Sequence, residues 1–204
     1  MGKTIGDYGK AEIVIQKSRF ICQAKRVDTE EAAQQFIADT RKYYWDATHN
    51  CFAYVITSQI QKSSDDGEPP GTAGRPILEI IHSKVLTHTA VVITRYYGGI
   101  KLGTGGLVRA YGQGALASIN AAGLVHKNLY QQLMLTFDYT FLGRLEHELR
   151  MLPVLLDTPE YSDKIHWSIW SAMDKVNEYC TLIEDWTGGQ VYIELGKQEE
   201  KIIR

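Results

Sequence analysis

Two short stretches hold most of the residues that could do chemistry. The first is SSDDGEPPGTAGRP, residues 63–76, which crowds Asp65, Asp66 and Glu68 into four positions. Carboxylates this close could surround a hard divalent cation together with waters. They do not form an EF-hand, because neither the alternating Asp/Asn run nor the distal Glu follows. The same residues also suit a rigid turn. Asp65 or Asp66 can bond its own backbone two residues on, Gly67 supplies a positive φ, and Pro69 with Pro70 stiffens the exit. We therefore read Asp65, Asp66, Gly67, Glu68, Pro69, Gly71, Thr72 and Gly74 as an ordered loop and assign no metal to it. Its carboxylates suit the holding of an arginine, Arg95 or Arg109.

The second stretch is RYYGGIKLGTGGLVRAY, residues 95–111, with five glycines in nine positions. It lies between an apolar run and a helical pattern. A helix start at the end of a strand presents free N–H groups and the positive end of the helix dipole, which together favour an anion. The phosphate loop GxxxxGK[ST] is not met, because Thr104 stands where Lys is required. The dinucleotide fingerprint fails at its third glycine, where Val108 stands. What remains is a generic phosphate site built from Arg95, Lys101, Arg109 and the backbone of Gly103, Thr104, Gly105 and Gly106. The alternative is a bend that only glycine can make.

Other chemistry is thin. His49 and Cys51, two apart on an expected strand, would face the same way, but Cys51 reads as core. There is no GxSxG and no HExxH, so no catalytic residue and no cofactor is assigned, and the chain leans toward binding over catalysis. Cys22, Cys51 and Cys180 are odd in number and widely spaced, which excludes a disulfide framework. Tyr96 and Tyr97 could stack on bases. The first residues lack a signal-peptide apolar stretch, and no run approaches the ~20 residues of a membrane span, so a cytoplasmic protein off the membrane is expected.

The charge pattern fits either an anion-binding surface or a core-rich, sparsely charged stretch. The 204 residues carry a net charge of −2, yet residues 80–137 contain no acid and five bases, Lys84, Arg95, Lys101, Arg109 and Lys127. Residues 138–204 reverse this, with 13 acids against seven bases.

The elements that must position these residues follow from periodicity. Strands are expected in 11–27, with a turn at Lys17-Ser18, and at 49–57 and 89–97, the last two apolar enough to be covered on both faces. Helices are expected at 29–45, capped by Thr29, at 76–86, and at 106–123, closed by Gly123. Gly112 and Gly114 inside the third suggest a close neighbour. The tail reads strand 130–140, helix 141–152, strands 154–161 and 164–170, helix 174–189, strand 190–195. This β-α-β-β-α-β order is the ferredoxin-like one, so we expect an α+β chain of two domains, 1–130 and 131–204.

The paired segments DDGEPPGTAGRPIL and VVITRYYGGIKLGTGGLVRAY, with HNCFAYVI before them, resemble the signature of the IMPACT family in its bacterial YigZ-type form. The resemblance implies a first domain folded like the second domain of small-subunit ribosomal protein five, a four-stranded sheet with helices on one side. It implies a ferredoxin-like second domain similar to the last domain of elongation factor G. Eukaryotic members regulate translation by competing for the co-activator of a starvation-responsive kinase; they carry a different partner domain, which is not expected in this sequence, so that role is not carried over. For the bacterial type the resemblance implies binding of RNA or the ribosome, linked to translation. A nucleotide- or phosphate-ligand enzyme using the glycine loop, and a protein-interaction module, are the alternatives.

Overall fold

A tight hairpin opens the main sheet: β2 (Tyr8–Ile15) pairs antiparallel with β3 (Ser18–Arg26). Its two turn residues, Gln16 and Lys17, both have positive φ (44° and 66°), the backbone that matches strand twist in two-residue hairpins. The turn thus lies one residue before the expected Lys17-Ser18, because Ser18 is already paired to Ile15.

The computed structural model describes residues 2–203. It divides into two compact units, Gly2–His126 and Lys127–Ile203, so the division falls at 126/127 where 130/131 was expected. In the first, β1 (Gly2–Ile5) and the hairpin precede α1 (Glu30–Tyr43), whose first turn is capped by Thr29 Oγ1 accepting from Ala32 N–H at 3.2 Å. Then come β4 (His49–Val55), β5 (Gln61–Ser64), α2 (Gly74–Ser83), β6 (Thr89–Tyr96) and α3 (Gly103–Ala122). The sheet order is β2-β3-β6-β4-β5.

Strand alternation builds a core on each face. Cys51, Ala53, Val91 and Ile93 pack with Ile77 and Ile81 of α2 and Leu107, Tyr111, Ala115 and Ile119 of α3. Phe52, Tyr54, Ala90 and Val92 pack with Ala33, Phe36 and Ile37 of α1. The expected four strands with helices on one side are therefore corrected to five strands with helices on both. The apolar stripe of α1 needs an apolar surface, and β4 and β6 are apolar on both faces. The fifth strand, QKSS, carries no apolar alternation and exists because it pairs with β4, Phe52 opposite Ser64.

The second unit holds most of β7 (Leu124–Phe137), then α4 (Leu142–Met151), β8 (Leu155–Leu156), β9 (Glu160–Tyr161), β10 (Ile165–Ala172), α5 (Val176–Thr187) and β11 (Tyr192–Ile203). β7 lies between β11 and β10, and β8 and β9 pair the other edge of β10. The single strand expected over 154–161 is split by Asp157-Thr158-Pro159. Asp157 is drawn instead to Trp170, whose Nε1–H donates to its carboxylate at 2.9 Å. Leu133, Leu135, Leu145, Leu149, Ile169 and Ile183 form this unit's core. The chain is thus α+β with two sheets. No helix among the described residues is long and apolar enough to cross a membrane.

The two interior glycines of α3 differ. A Cβ on Gly114 would meet Cys22 Sγ at 2.6 Å and Ile93 Cδ1 at 3.1 Å, so the helix can lie on the sheet only without that side chain. A Cβ on Gly112 would meet nothing nearer than Ile80 Cγ1 at 3.9 Å, an ordinary contact. Urea melts should show Gly114→Ala destabilising by ~1–3 kcal/mol through overpacking. Gly112→Ala should be neutral or stabilising by up to ~1 kcal/mol from helix propensity.

Candidate anion-binding cleft

The acidic loop is shaped by its own carboxylates. Asp65 accepts the N–H groups of Gly71, Ala73 and Gly74 at 2.8–2.9 Å, which ties the loop to the start of α2. Asp66 accepts from Arg41 Nη2 at 2.5 Å and from Asn50 N–H at 2.7 Å, which ties it to α1 and β4. The backbone turns back through Asp66 (φ 44°) and Gly67 (φ 85°). Thr72 Oγ1 donates to the Pro69 carbonyl at 2.7 Å, closing the turn. Both aspartates are thus engaged by their own chain. Among the described residues no group of three or more His, Cys, Asp or Glu is placed to hold a metal ion.

This loop delivers Glu68 inward. Its side chain is 3% exposed and its Oε1 accepts from Arg95 Nη1 at 2.6 Å and from the Tyr111 hydroxyl at 2.7 Å. Arg95 Nη2 donates to Ser18 Oγ at 3.2 Å, and its guanidinium lies over the rings of Phe20 and Tyr97. Arg95 Nε is buried without a partner. His49, directly across β4–β6 from Arg95, places Nδ1 2.8 Å from the Asp66 carbonyl. A carbonyl only accepts, so Nδ1 carries a proton, and Nε2 is left 3.9 Å from Glu68 Oε2.

Above this network opens a cleft of about 490 Å³. Glu68, Arg95 and His49 line its buried end, and Pro69, Tyr97, Leu102 and Leu107 give it apolar walls. Lys101, Gly103 and Thr104 line it at the exposed first turn of α3. Leu102 stands at the N-cap and makes no side-chain cap bond, so the first N–H groups of this 20-residue helix are left without a side-chain acceptor. The helix begins at Gly103 (φ 70°), three residues before the expected start.

Of the residues expected to contact phosphate, Arg95, Lys101, Gly103 and Thr104 line the cleft, whereas Gly105, Gly106 and Arg109 do not. Arg109 is exposed on α3, its Nη1 3.7 Å from where a Cβ on Gly105 would stand. Glu68, not an aspartate, holds Arg95, and Arg109 has no partner in that loop among the described contacts. Sequence reasoning missed Ser18 and Tyr111 and did not foresee His49 beside Glu68 and Arg95. Cys51 points to the Asp65 carbonyl, at 2.9 Å, and lies 3.3 Å from the Tyr111 hydroxyl. Burial pushes its thiol well above the ordinary range, which suits a core residue and not a nucleophile. Burial likewise pushes the Tyr111 phenol up, so it remains a donor to Glu68.

Residues 16–119 match the family model of the Impact N-terminal domain, and they contain the loop, the cleft and all but the last turn of α3. The chain belongs to the IMPACT family. It is 44% identical over 196 residues to the IMPACT family member YvyE of Bacillus subtilis (strain 168), covering 95% of this chain and 90% of that protein. It is 34% identical to the family member YigZ of Escherichia coli (strain K12), covering 88% and 90%. A solved structure described as that of a hypothetical protein is 31% identical, covers 96% of this chain and 97% of its own, and superposes with a TM-score of 0.61.

Two outcomes follow from this geometry. Glu68→Ala strips the buried Arg95 of its counter-charge and should cost ~3–5 kcal/mol of unfolding free energy in denaturant titrations. Burial raises the Asp65 carboxyl, but the three loop N–H groups outweigh it and hold the group below its ordinary 3.8. A depressed acid stabilises above its unfolded pKa and loses that contribution as pH falls through the folded one. Asp65→Asn should therefore be less stable than the parent at neutral pH, with the difference shrinking below about pH 3.8.

Proposed function

We propose that the chain is a cytoplasmic binding protein of RNA or the ribosome, linked to the regulation of translation. In this reading the cleft at the start of α3 receives a phosphate of the nucleic acid. The observation that carries it is the uncapped first turn of α3, which reaches the cleft together with Lys101 and Thr104. The backbone N–H groups and the helix dipole supply oriented positive charge, Thr104 a hydroxyl donor and Lys101 a cation. In this reading Arg109, exposed further along α3 and outside the cleft, meets an adjacent phosphate. Membership of the IMPACT family supports the same reading, as does the second unit, whose order is the expected β-α-β-β-α-β with one strand split into β8 and β9, the order expected of a domain similar to the last domain of elongation factor G. Filter binding to RNA and to ribosomes at low salt should show affinity that falls with salt by ~0.7 log units per tenfold salt for each phosphate engaged. Lys101→Ala should weaken binding and lower the slope by about one phosphate. No affinity at low salt sinks the proposal.

A second reading is favoured by the walls of the cleft. Pro69, Tyr97, Leu102 and Leu107 around about 490 Å³ would enclose a small phosphate-bearing ligand such as a nucleotide. A thermal shift with ATP or GTP at about 100 times Kd would correspond to ~2.7 kcal/mol of stabilisation. A shift with free nucleotide and no retention of RNA would favour this reading over the first.

A further inference from the structure

The opposite face of the sheet carries a second groove that the α3 cleft does not explain. It lies between the β2–β3 edge and the last turn of α1 and has a volume of about 500 Å³. Gln23 lines it. This side chain points away from the core that holds its neighbours Cys22 and Ala24. The residue is 7% exposed, its Oε1 accepts from the Tyr8 hydroxyl at 2.8 Å, and its Nε2 is buried with no partner. Turning the amide over does not remove the deficit. A phenol can donate or accept, so the unpartnered end would then be Oε1. Buried polar groups are nearly always bonded, and an amide left half-paired beneath a groove is a hydrogen-bonding edge awaiting a complement.

The groove's other residues define that complement. Tyr8 and Tyr43 are large exposed rings, at 45% and 77% exposure. The Tyr43 ring meets the Tyr44 ring edge to face at 4.7 Å. Lys10 donates to the Tyr44 hydroxyl at 3.1 Å and lies over its ring, and Lys25 lies over Phe36. Asp7 and Asp39 also line the groove. Aromatic faces, an amide edge, carboxylates and two ammonium groups suit, in that order, the ring, the polar edge, the ribose hydroxyls and the phosphate of a nucleotide.

We propose that this groove is a nucleotide site in which Gln23 reads the edge of an unpaired nucleobase, Tyr8 and Tyr43 bracket its ring, and Lys10 and Lys25 face its phosphate. The proposal does not rest on the α3 cleft. The ligand is a free nucleotide or one unit of a single strand, and the chemistry of recognition is the same for both.

Selective ¹⁵N labelling of glutamine in the full chain tests it, with the Gln23 side-chain amide assigned by its loss in Gln23→Met. Titration with AMP, GMP, CMP and UMP should shift that amide saturably for at least one of them, whereas ribose 5-phosphate should not shift it. Gln23→Met and Lys10→Ala, each followed by isothermal titration calorimetry with the nucleotide that shifts the parent amide most, should each weaken binding at least tenfold. Lys10 is exposed, so its variant keeps the test decisive even if Gln23→Met fails to fold. A tetraribonucleotide binding at least tenfold more tightly than the monomers assigns the site to a strand; equal or weaker binding assigns it to the free nucleotide, and both support the site. No Gln23 shift with any monomer or tetramer overturns the proposal. So does an equal shift with ribose 5-phosphate.

Discussion

The N-terminal unit is organised around one buried ion pair, Glu68 with Arg95, whose side chains are 3% and 6% exposed. Two charges removed from water are tolerable only when each is paired and its remaining hydrogen-bonding capacity is met. Here the requirement recruits five separate segments and is met at both ends of the guanidinium but not at Arg95 Nε. Glu68 comes from the acidic loop, Arg95 from β6, Tyr111 from α3, His49 from β4 and Ser18 from the start of β3. An apolar cluster of the same volume could hold these elements together as firmly. It would not set their register, because apolar contacts have no direction. The pair therefore acts on position: it fixes the loop against the sheet and the first turns of α3 above both.

That positioning depends on how closely the backbone can approach. Gly98 leaves β6 against the hairpin turn so tightly that a Cβ would fall 2.0 Å from the Lys17 carbonyl carbon. Ser18 Oγ accepts from Gly98 N–H at 3.3 Å and from Arg95 at 3.2 Å, so one hydroxyl ties the hairpin, the strand exit and the ion pair. Gly103 then turns with φ 70° into the helix. The glycines make the bend, as either reading of the sequence requires. The same bend is what leaves the start of α3 without a capping side chain beside Lys101.

The regular elements were legible because their signals are local. Thr29 caps α1, Gly123 ends α3, and the double-sided apolar runs became β4 and β6. What was hidden depends on distant partners. The start of α3 was placed late because Gly103, Gly105 and Gly106 argue against helix locally, and packing against the sheet overrides that preference. β5 was missed because QKSS has no apolar alternation and owes its strand to β4. In the site, spacing brought out the loop and the glycine turn, and an arginine held by the loop was foreseen. The choice of Glu68 over the aspartates was not. Nor was His49 opposite Arg95, because cross-strand register cannot be read from either strand alone.

The charge pattern shows how counting and geometry diverge. Five bases without an acid in residues 80–137 suggest a broad basic surface. Arg95 is neutralised by Glu68, Lys127 lies 3.5 Å from Glu200, and Lys84 sits at the C-cap of α2, where it complements that helix dipole. Lys101 and Arg109 are the two left exposed with no ion pair among those described. Both belong to the start of α3, one just before its first turn and the other in its second. The unpaired positive charge of residues 80–137 thus lies on either side of that helix start. Salt limits the reach of two such charges to about 10 Å at ordinary ionic strength, so their field is confined to the neighbourhood of that turn.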